Sequence, residues 1–184
     1  QAEDSIRGSV WSLGGSRVRT QAHPHLRPVG ETEFVRAQAD QSQKGTKPGK
    51  PPILGMVCHA DLTLGAQVDE VLQAHAEAAG GLLRGIRHST AFYPDPPVVD
   101  RYAGRIEKLM MQTDFREGFA KLAPLGLTFD AWLLHSQITE LTDLARAFPE
   151  TTIVFDHFGG PLGIGPYSGK QAELFPQWKA DVKE

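Results

Sequence analysis

From residue 53 onward the chain repeats one pattern, a short apolar run of strand length followed by an amphipathic helical segment. The helical segments include AQVDEVLQAHAEAAGG and ITELTDLARAF, whose apolar residues recur at helical spacing. Strands without polar alternation require burial on both faces, so the order predicts a parallel sheet covered by helices. The four strand-like runs are ILGMVC, LLRGIRH, LTFDAWLL and TTIVFD.

Two architectures have this order, an open doubly wound sheet and part of a (β/α)8 barrel. A complete barrel usually has about 250 residues and eight strands. This chain has 184 residues, and only four of its runs are clear strands. The α/β class is therefore predicted, with parallel strands and outer helices, and a barrel would be partial. The predicted strands lie near 53–58, 82–88, 127–134 and 152–156.

The first fifty residues differ in composition from the rest. They are rich in Gly, Pro, Ser, Gln and Lys, as in QADQSQKGTKPGKPP, and show little periodicity beyond EFVRAQA. We therefore divide the chain into an irregular N-terminal segment, 1–50, with room for one short helix, and a partial-barrel domain, 51–184.

Charge and composition exclude several classes of partner. The net charge is -3, the pI is near 6.2, and the Lys and Arg residues are dispersed, so no nucleic-acid partner is predicted. No run reaches 18 apolar residues and the start QAEDSIRGSV lacks the order of a signal peptide, so no membrane association is predicted. Cys58 is the single cysteine, which favours a cytoplasmic setting. A small-molecule substrate is expected, and homo-oligomerisation stays open.

Polar side chains collect where the predicted strands end. An apolar core gains nothing from repeated imidazoles that each need a hydrogen-bond partner, so histidines at successive strand ends predict a shared cleft. The working groups of both architectures lie at the carboxyl ends of parallel strands. The candidates are His59, Arg84, Arg87, His88, His135 and His157.

Strand alternation makes further predictions about these side chains. Arg84 and Arg87 are three residues apart and face opposite sides, so at most one enters the cleft, and the choice stays open. If His135 and His157 point into a barrel, then Phe129, Ala131 and Leu133 do so too, as do Ile153 and Phe155. Asp156 would then face the helices.

Several of these segments resemble one known family. RPVGETEFV, HADLTLG, RGIRHS, WLLHSQ and VFDHFGGP, with the spacing between them, are similar to the amidohydrolase-related family of metal-dependent TIM-barrel hydrolases, in particular its lactonase-like branch. The resemblance implies that His135 binds a divalent metal ion, with zinc the first candidate, and that His157 orients or activates the attacking water. It also implies a substrate pocket lined by His59, Arg84, Arg87 and His88, which would bind carboxylate or hydroxyl groups.

The chain also departs from that family. Members of the family have a His-x-His pair on the first strand and an aspartate at the end of the eighth strand. Neither has a counterpart in this sequence. His23 and His25 have the right spacing but directly precede RPVGETEFV, which in the family follows the second strand, so we do not assign them to the family's metal site. The chain is accordingly expected to be truncated. Hydrolysis of a sugar-acid lactone is the first functional hypothesis; the alternatives are metal-dependent decarboxylation and a catalytically silent barrel fragment.

Overall fold

The computed structural model describes residues 23–43, 51–94 and 106–184, in which four strands form one parallel sheet. Their spatial order, β1-β2-β3-β4, is their order in the sequence. A doubly wound sheet reverses its strand order at a switch point, whereas consecutive strands of a (β/α)8 barrel are neighbours. The order therefore favours the predicted partial barrel. The strands are β1 (Met56–His59), β2 (Leu83–Arg87), β3 (Thr128–Ala131) and β4 (Ile153–Phe155).

Each predicted strand segment overlaps one observed strand, although β1 extends one residue beyond its segment to His59, and the helices lie between the strands as expected. The third strand is shorter than its segment, because it ends at Ala131 and the chain then turns into a short 3-10 helix that begins at His135. The α-helices of the described residues are α1 (Val29–Gln43), α2 (Val68–Ala79), α3 (Thr113–Phe119), α4 (Ile138–Ala147) and α5 (Gln171–Asp181).

Helix α1 lies in the segment 1–50, for which the sequence predicted loops and room for one short helix, and it is longer than that prediction allowed. Its 15 residues are mostly polar, and the few buried ones are Val29, Gly30, Thr32 and Ala39. A helix that contacts its neighbours through small or polar residues leaves a weak apolar pattern in the sequence. Because α1 packs on α2 and Val29 lies in the same core as the strands, residues 29–43 belong with the sheet. Residues 1–22 and 44–50 of that segment lie outside the described residues.

The hydrophobic core lies between the helices and one face of the sheet. Its centre is Phe119, which is fully buried and whose ring lies 5.1 Å from that of Phe129 on β3. Its other ring neighbours are Phe115, at 6.3 Å, and Phe148, at 5.2 Å. This cluster joins α3 to the outer face of β3.

The opposite face of the sheet is open to solvent. Val57 on β1 and Val154 on β4 point there and are 43% and 42% exposed. Phe129, Ala131 and Leu133, which would point into a barrel if His135 did, instead belong to the helix-side core, against which Ile153 and Phe155 also pack. The sequence fails to reveal this because an apolar residue suits either face of a barrel strand.

Among the residues that the structure describes, no helix combines the length and apolar character needed to cross a membrane.

Candidate active site at the carboxyl ends of the strands

Three polar residues form a row across the open face of the sheet. His59 on β1 is paired in register with Arg87 on β2, and Arg87 with Asp130 on β3. Val154 on β4 continues the row, and Asp156 follows two residues later along the chain. Since residues in register lie on the same face of neighbouring strands, the sheet itself brings these side chains together.

Arg87 lies between two carboxylates at the centre of this row. Its Nη2 atom is 2.5 Å from Oδ2 of Asp156 and 3.5 Å from Oδ2 of Asp130. The first contact is an ion pair whose angles do not make a hydrogen bond, so Asp156 Oδ2 has no hydrogen-bond partner. The sequence placed Asp156 against the helices on condition that His157 pointed into a barrel, whereas in the structure Asp156 contacts Arg87. The two carboxylates and one guanidinium together carry net negative charge.

Asp130 is the most perturbed of these acids. Burial raises the pKa of its carboxyl, and the neighbouring charge of Asp156 raises it further, whereas the charge and hydrogen bonding of Arg87 lower it. Asp130 is 8% exposed, so its ionised form depends on Arg87 for much of its electrostatic stabilisation.

His88 stands edge to face against His59, the first residue of this row, with ring centroids 5.5 Å apart. Nδ1 of His59 lies 3.0 Å from the Arg87 carbonyl oxygen, which can only accept, so Nδ1 carries a proton and donates it. Nδ1 of His88 accepts a hydrogen bond of 3.1 Å from the Leu62 amide, so in the neutral ring the proton is on Nε2. Asp61 Oδ1 is 3.9 Å from the same Nδ1, too far for a competing hydrogen bond. In their neutral forms the two imidazoles are therefore opposite tautomers.

His59, Arg87 and His88 line a cleft of about 470 Å³ at the ends of β1 and β2, a size suited to a small molecule. The ionisable side chains of the cleft are those of His59, Asp61, Arg87 and His88. Ile106 and Leu109 form an apolar part of the cleft wall. The cleft therefore joins hydrogen-bonding groups to an apolar surface.

A buried hydrogen-bond network connects β1 to the helices that pack against it. His75 on α2 is fully buried; its Nε2 lies 2.9 Å from the His59 carbonyl oxygen and its Nδ1 lies 2.8 Å from the Thr32 hydroxyl. That hydroxyl in turn lies 3.2 Å from the Cys58 sulfur. Burial is the largest cause lowering the pKa of His75 and raising the pKa of Cys58. His75 was predicted to be exposed or to fill a helix face, and the structure gives it the second role.

Gln137 fixes the loops that follow β2 and β3. Its Nε2 donates to the Thr90 carbonyl at 2.8 Å, and its Oε1 accepts from the Phe92 amide at 2.9 Å. The Thr90 amide also donates to the Trp132 carbonyl at 2.9 Å. Because Gln137 is 4% exposed, these bonds form away from solvent and hold the two strand-end loops together.

His135 and His157 have different surroundings. The Leu162 amide donates to Nδ1 of His135 at 3.4 Å, and the His135 ring lies 4.9 Å from that of Tyr167. Desolvation lowers the pKa of His135, which favours the neutral imidazole. His157 is exposed, adopts a positive φ of 51°, and packs edge to face on Trp132 at 4.9 Å. The chain turn at 157–160 joins the two segments, because the His135 amide donates to the Gly160 carbonyl.

Arg84 lies away from this cleft. Its guanidinium donates to the carbonyl oxygens of Gly81, Leu83 and Leu54, which precede or begin the strands. Of the two arginines between which the sequence left the choice open, Arg87 is thus the one that lines the cleft.

Three ligand atoms are needed for a tightly held catalytic cation. Among the described residues, one group of three suitable side chains has its ligand atoms within 4.8 Å of one another, and it consists of His23, His25 and Glu70. His135 belongs to no such group in that part of the chain, so the described residues do not complete a metal site around it.

Asp130 and Asp156 were not among the predicted site residues. A signal for Asp130 exists, because a lone carboxylate inside the apolar run LTFDAWLL must be paired if that run is a buried strand. Its partner could not be identified without the register between β2 and β3.

Comparisons with known proteins agree with this architecture. The sequence model of the amidohydrolase family matches residues 12–180. Over 132 residues the chain is 34% identical to the uncharacterised protein y4mH of Sinorhizobium fredii, which covers 72% of this chain and 40% of that protein. The crystal structure of an amidohydrolase from Burkholderia multivorans with bound HEPES superposes with a TM-score of 0.56 at 20% identity, covering 80% of this chain and 44% of the other. The chain thus spans less than half the length of either relative.

Proposed function

Because this chain belongs to the amidohydrolase family, we propose that it forms part of a hydrolase that opens a neutral lactone of a sugar acid. The observation that carries the proposal is the row of His59, Arg87 and Asp130 on the open face, with Asp156 beside it. His59 and Arg87 line the cleft and the two aspartates lie beside Arg87, so the row offers several hydrogen-bond donors and acceptors, as a ring with several hydroxyl groups requires.

The charge of the row favours a neutral ligand over an anionic one. The Arg87 guanidinium already contacts two carboxylates, so it has little positive charge to offer to a third. A lactone carries no charge, whereas the product of its hydrolysis is a carboxylate. The same row that accepts hydrogen bonds from substrate hydroxyls would therefore repel the product and promote its release.

The two tautomers in the cleft give His59 and His88 complementary tasks. Nδ1 of His59 donates to a backbone carbonyl, which leaves Nε2 with a lone pair that can accept from a substrate hydroxyl. Nδ1 of His88 accepts from a backbone amide, which leaves Nε2 with a proton that can be donated to the lactone carbonyl. Such a donor stabilises the negative charge that develops on that oxygen during attack.

Water supplies the nucleophile. Its oxygen bonds to the lactone carbonyl carbon as its proton passes to His157; the bond from that carbon to the ring oxygen then breaks, and the proton is returned to the released hydroxyl. His157 is a candidate for this task because it is an exposed residue two positions after the end of β4. A divalent metal ion, with His135 as a ligand, stays a prediction of the family resemblance, and none of these steps depends on it.

Decarboxylation is less well supported. A decarboxylase must bind its substrate as a carboxylate, and the net negative charge around Arg87 opposes this.

The proposal is tested by titrating the protein with sugar-acid lactones and with the corresponding open-chain acids, using ligand-observed NMR. We expect the lactone to bind more tightly than its acid, and we expect Asp156→Asn to reduce that preference because it removes one negative charge. Asp69→Asn is the matched control, since Asp69 is an exposed aspartate on α2 that pairs with Lys121. Equal or tighter binding of the acid by the unaltered protein would refute the proposal.

Activity provides a second test. Lactone opening releases a proton and can be followed with a pH indicator. His88→Gln should lower kcat, since it removes the proposed donor to the carbonyl, and His157→Gln should lower kcat, since it removes the proposed base. A kcat unchanged by His157→Gln would eliminate His157 as the base.

A further inference from the structure

We infer that His23, His25 and Glu70 form a binding site for a divalent transition-metal ion such as Zn²⁺, separate from the cleft. Nε2 of His25 lies 3.0 Å from Oε2 of Glu70, and the rings of His23 and His25 have centroids 5.5 Å apart. The three ligand atoms all lie within 4.8 Å of one another. The inference rests on these residues alone and does not depend on the proposed function.

Two independent elements hold the cluster. The histidines flank Pro24, which begins a 3-10 turn in which the Leu26 amide donates to the His23 carbonyl at 2.9 Å. Leu26 is 2% exposed, so the turn is anchored in the core. Glu70 comes from the first turn of α2, 45 residues further along the chain from His25. The positions of the ligands are therefore set by backbone structure on both sides.

The ligand set matches the preferences of zinc. Two imidazoles and one carboxylate bind Zn²⁺ in proteins with bond lengths of about 2.0–2.1 Å, which in a tetrahedral site separates the ligand atoms by about 3.3 Å. The ligand atoms would have to approach one another by at most about 1.5 Å, which side-chain rotation can supply on an exposed surface. Nitrogen ligands disfavour Mg²⁺, which prefers oxygen.

The surroundings permit entry of an ion. The side chains of His25 and Glu70 are 29% and 58% exposed, so a cation can reach them from solvent. The fourth tetrahedral position would be filled by water. A metal bound here would tie the turn before α1 to the start of α2, and these two helices pack on each other. We therefore expect the ion to stabilise the fold.

Zinc binding to the full 184-residue protein can be measured by calorimetry, with Co²⁺ absorption as a spectroscopic report of tetrahedral geometry. We expect binding that excess Mg²⁺ does not displace, and we expect Glu70→Gln and His25→Ala each to weaken it by about tenfold or more, because each removes a direct ligand. Glu77→Gln is the matched control on the same helix α2, and His135→Ala tests whether the metal instead binds at the family's predicted ligand.

Three results would each overturn the inference. One is the absence of zinc binding by the unaltered protein, and another is unchanged affinity in both ligand variants. The third is loss of zinc binding in His135→Ala with retention in Glu70→Gln. Circular dichroism of each variant distinguishes ligand loss from unfolding, and Glu70→Gln, which replaces an exposed side chain by one of equal size, is the variant least able to disturb the fold.

Discussion

Replacing Arg87 by methionine tests the electrostatics of the row directly. The substitution keeps an unbranched side chain and removes the cation that lies 3.5 Å from Asp130 and 2.5 Å from Asp156. Removing one partner of a fully buried ion pair costs about 3–5 kcal/mol. The Arg87 side chain is 45% exposed, and those of both aspartates are 12% exposed, so solvent screens part of the interaction. We expect a loss of about 1–3 kcal/mol in the free energy of unfolding near neutral pH.

The loss of stability caused by Arg87→Met should depend on pH, and the pKa of Asp130 determines the direction of that dependence. Burial and Asp156 already raise the pKa of Asp130 above its ordinary value of 3.8, and the loss of Arg87 raises it further. A raised folded-state pKa means that the folded protein binds the proton more tightly than the unfolded chain. Stability from this group therefore increases as the pH falls from above the folded-state pKa toward 3.8. The destabilisation caused by Arg87→Met should shrink in that direction.

Urea unfolding followed by tryptophan fluorescence, at neutral and at mildly acidic pH, measures both effects. Arg84→Met is the matched control, because Arg84 is on the same strand and donates to carbonyl oxygens without contacting a carboxylate. We expect it to cost less than about 1 kcal/mol, as is usual for exposed positions, and to leave the pH dependence unchanged. If the difference in stability between Arg87→Met and the unaltered protein stayed constant with pH, the electrostatic account of the row would be wrong.

Three further predictions concern the core and the support of β1, all measured by urea unfolding. His75→Leu should cost about 1–3 kcal/mol by removing hydrogen bonds to Thr32 and His59. Because the pKa of His75 is lowered in the folded protein, His75 makes the protein less stable as the pH falls below 6.5, and the variant should lack this loss. An unchanged dependence of stability on pH would contradict this. Gly118→Ala should cost about 1–3 kcal/mol because its Cβ would overlap the Leu62 carbonyl, whereas the control Gly163→Ala should be near neutral, since its Cβ meets only the end of the Gln171 side chain. Phe119→Ala should cost about 3–5 kcal/mol, and a loss below about 1 kcal/mol would mean that the aromatic cluster is not the centre of the core.

The sequence predicts the fold better than it predicts which face of a strand is functional. Strand existence, parallel order and the outer helices follow from apolar runs alternating with helical periodicity, and the structure confirms them. The direction of Phe129 could not be predicted in the same way, because the barrel interior and the helix layer both accept an apolar side chain. Asp130, the one charged residue of β3, points to the open face and would have been the better guide.

The N-terminal helix shows a second limit of sequence patterns. Helix α1 buries Val29, Gly30, Thr32 and Ala39, and most of its other positions are polar. Periodicity detects a broad apolar stripe, which α4 has and α1 lacks. The contribution of α1 depends on a long-range hydrogen bond from Thr32 to His75, 43 residues away, and no local pattern encodes that pairing.

The repeated histidines at strand ends prove to be physically different from one another, and the hydrogen-bond partner of each determines what it can do. His59 donates to a carbonyl and so presents a lone pair, while His88 accepts from an amide and so presents a proton. His75, which is not at a strand end, has both nitrogens occupied by buried partners, so its ring is unavailable for proton transfer with a substrate. Position at the end of a parallel strand therefore selects the candidates, but the backbone group facing Nδ1 sets the tautomer and with it the chemistry. This is why substitutions by glutamine, which keep one polar contact and abolish titration, separate the roles of these residues more sharply than substitutions by alanine.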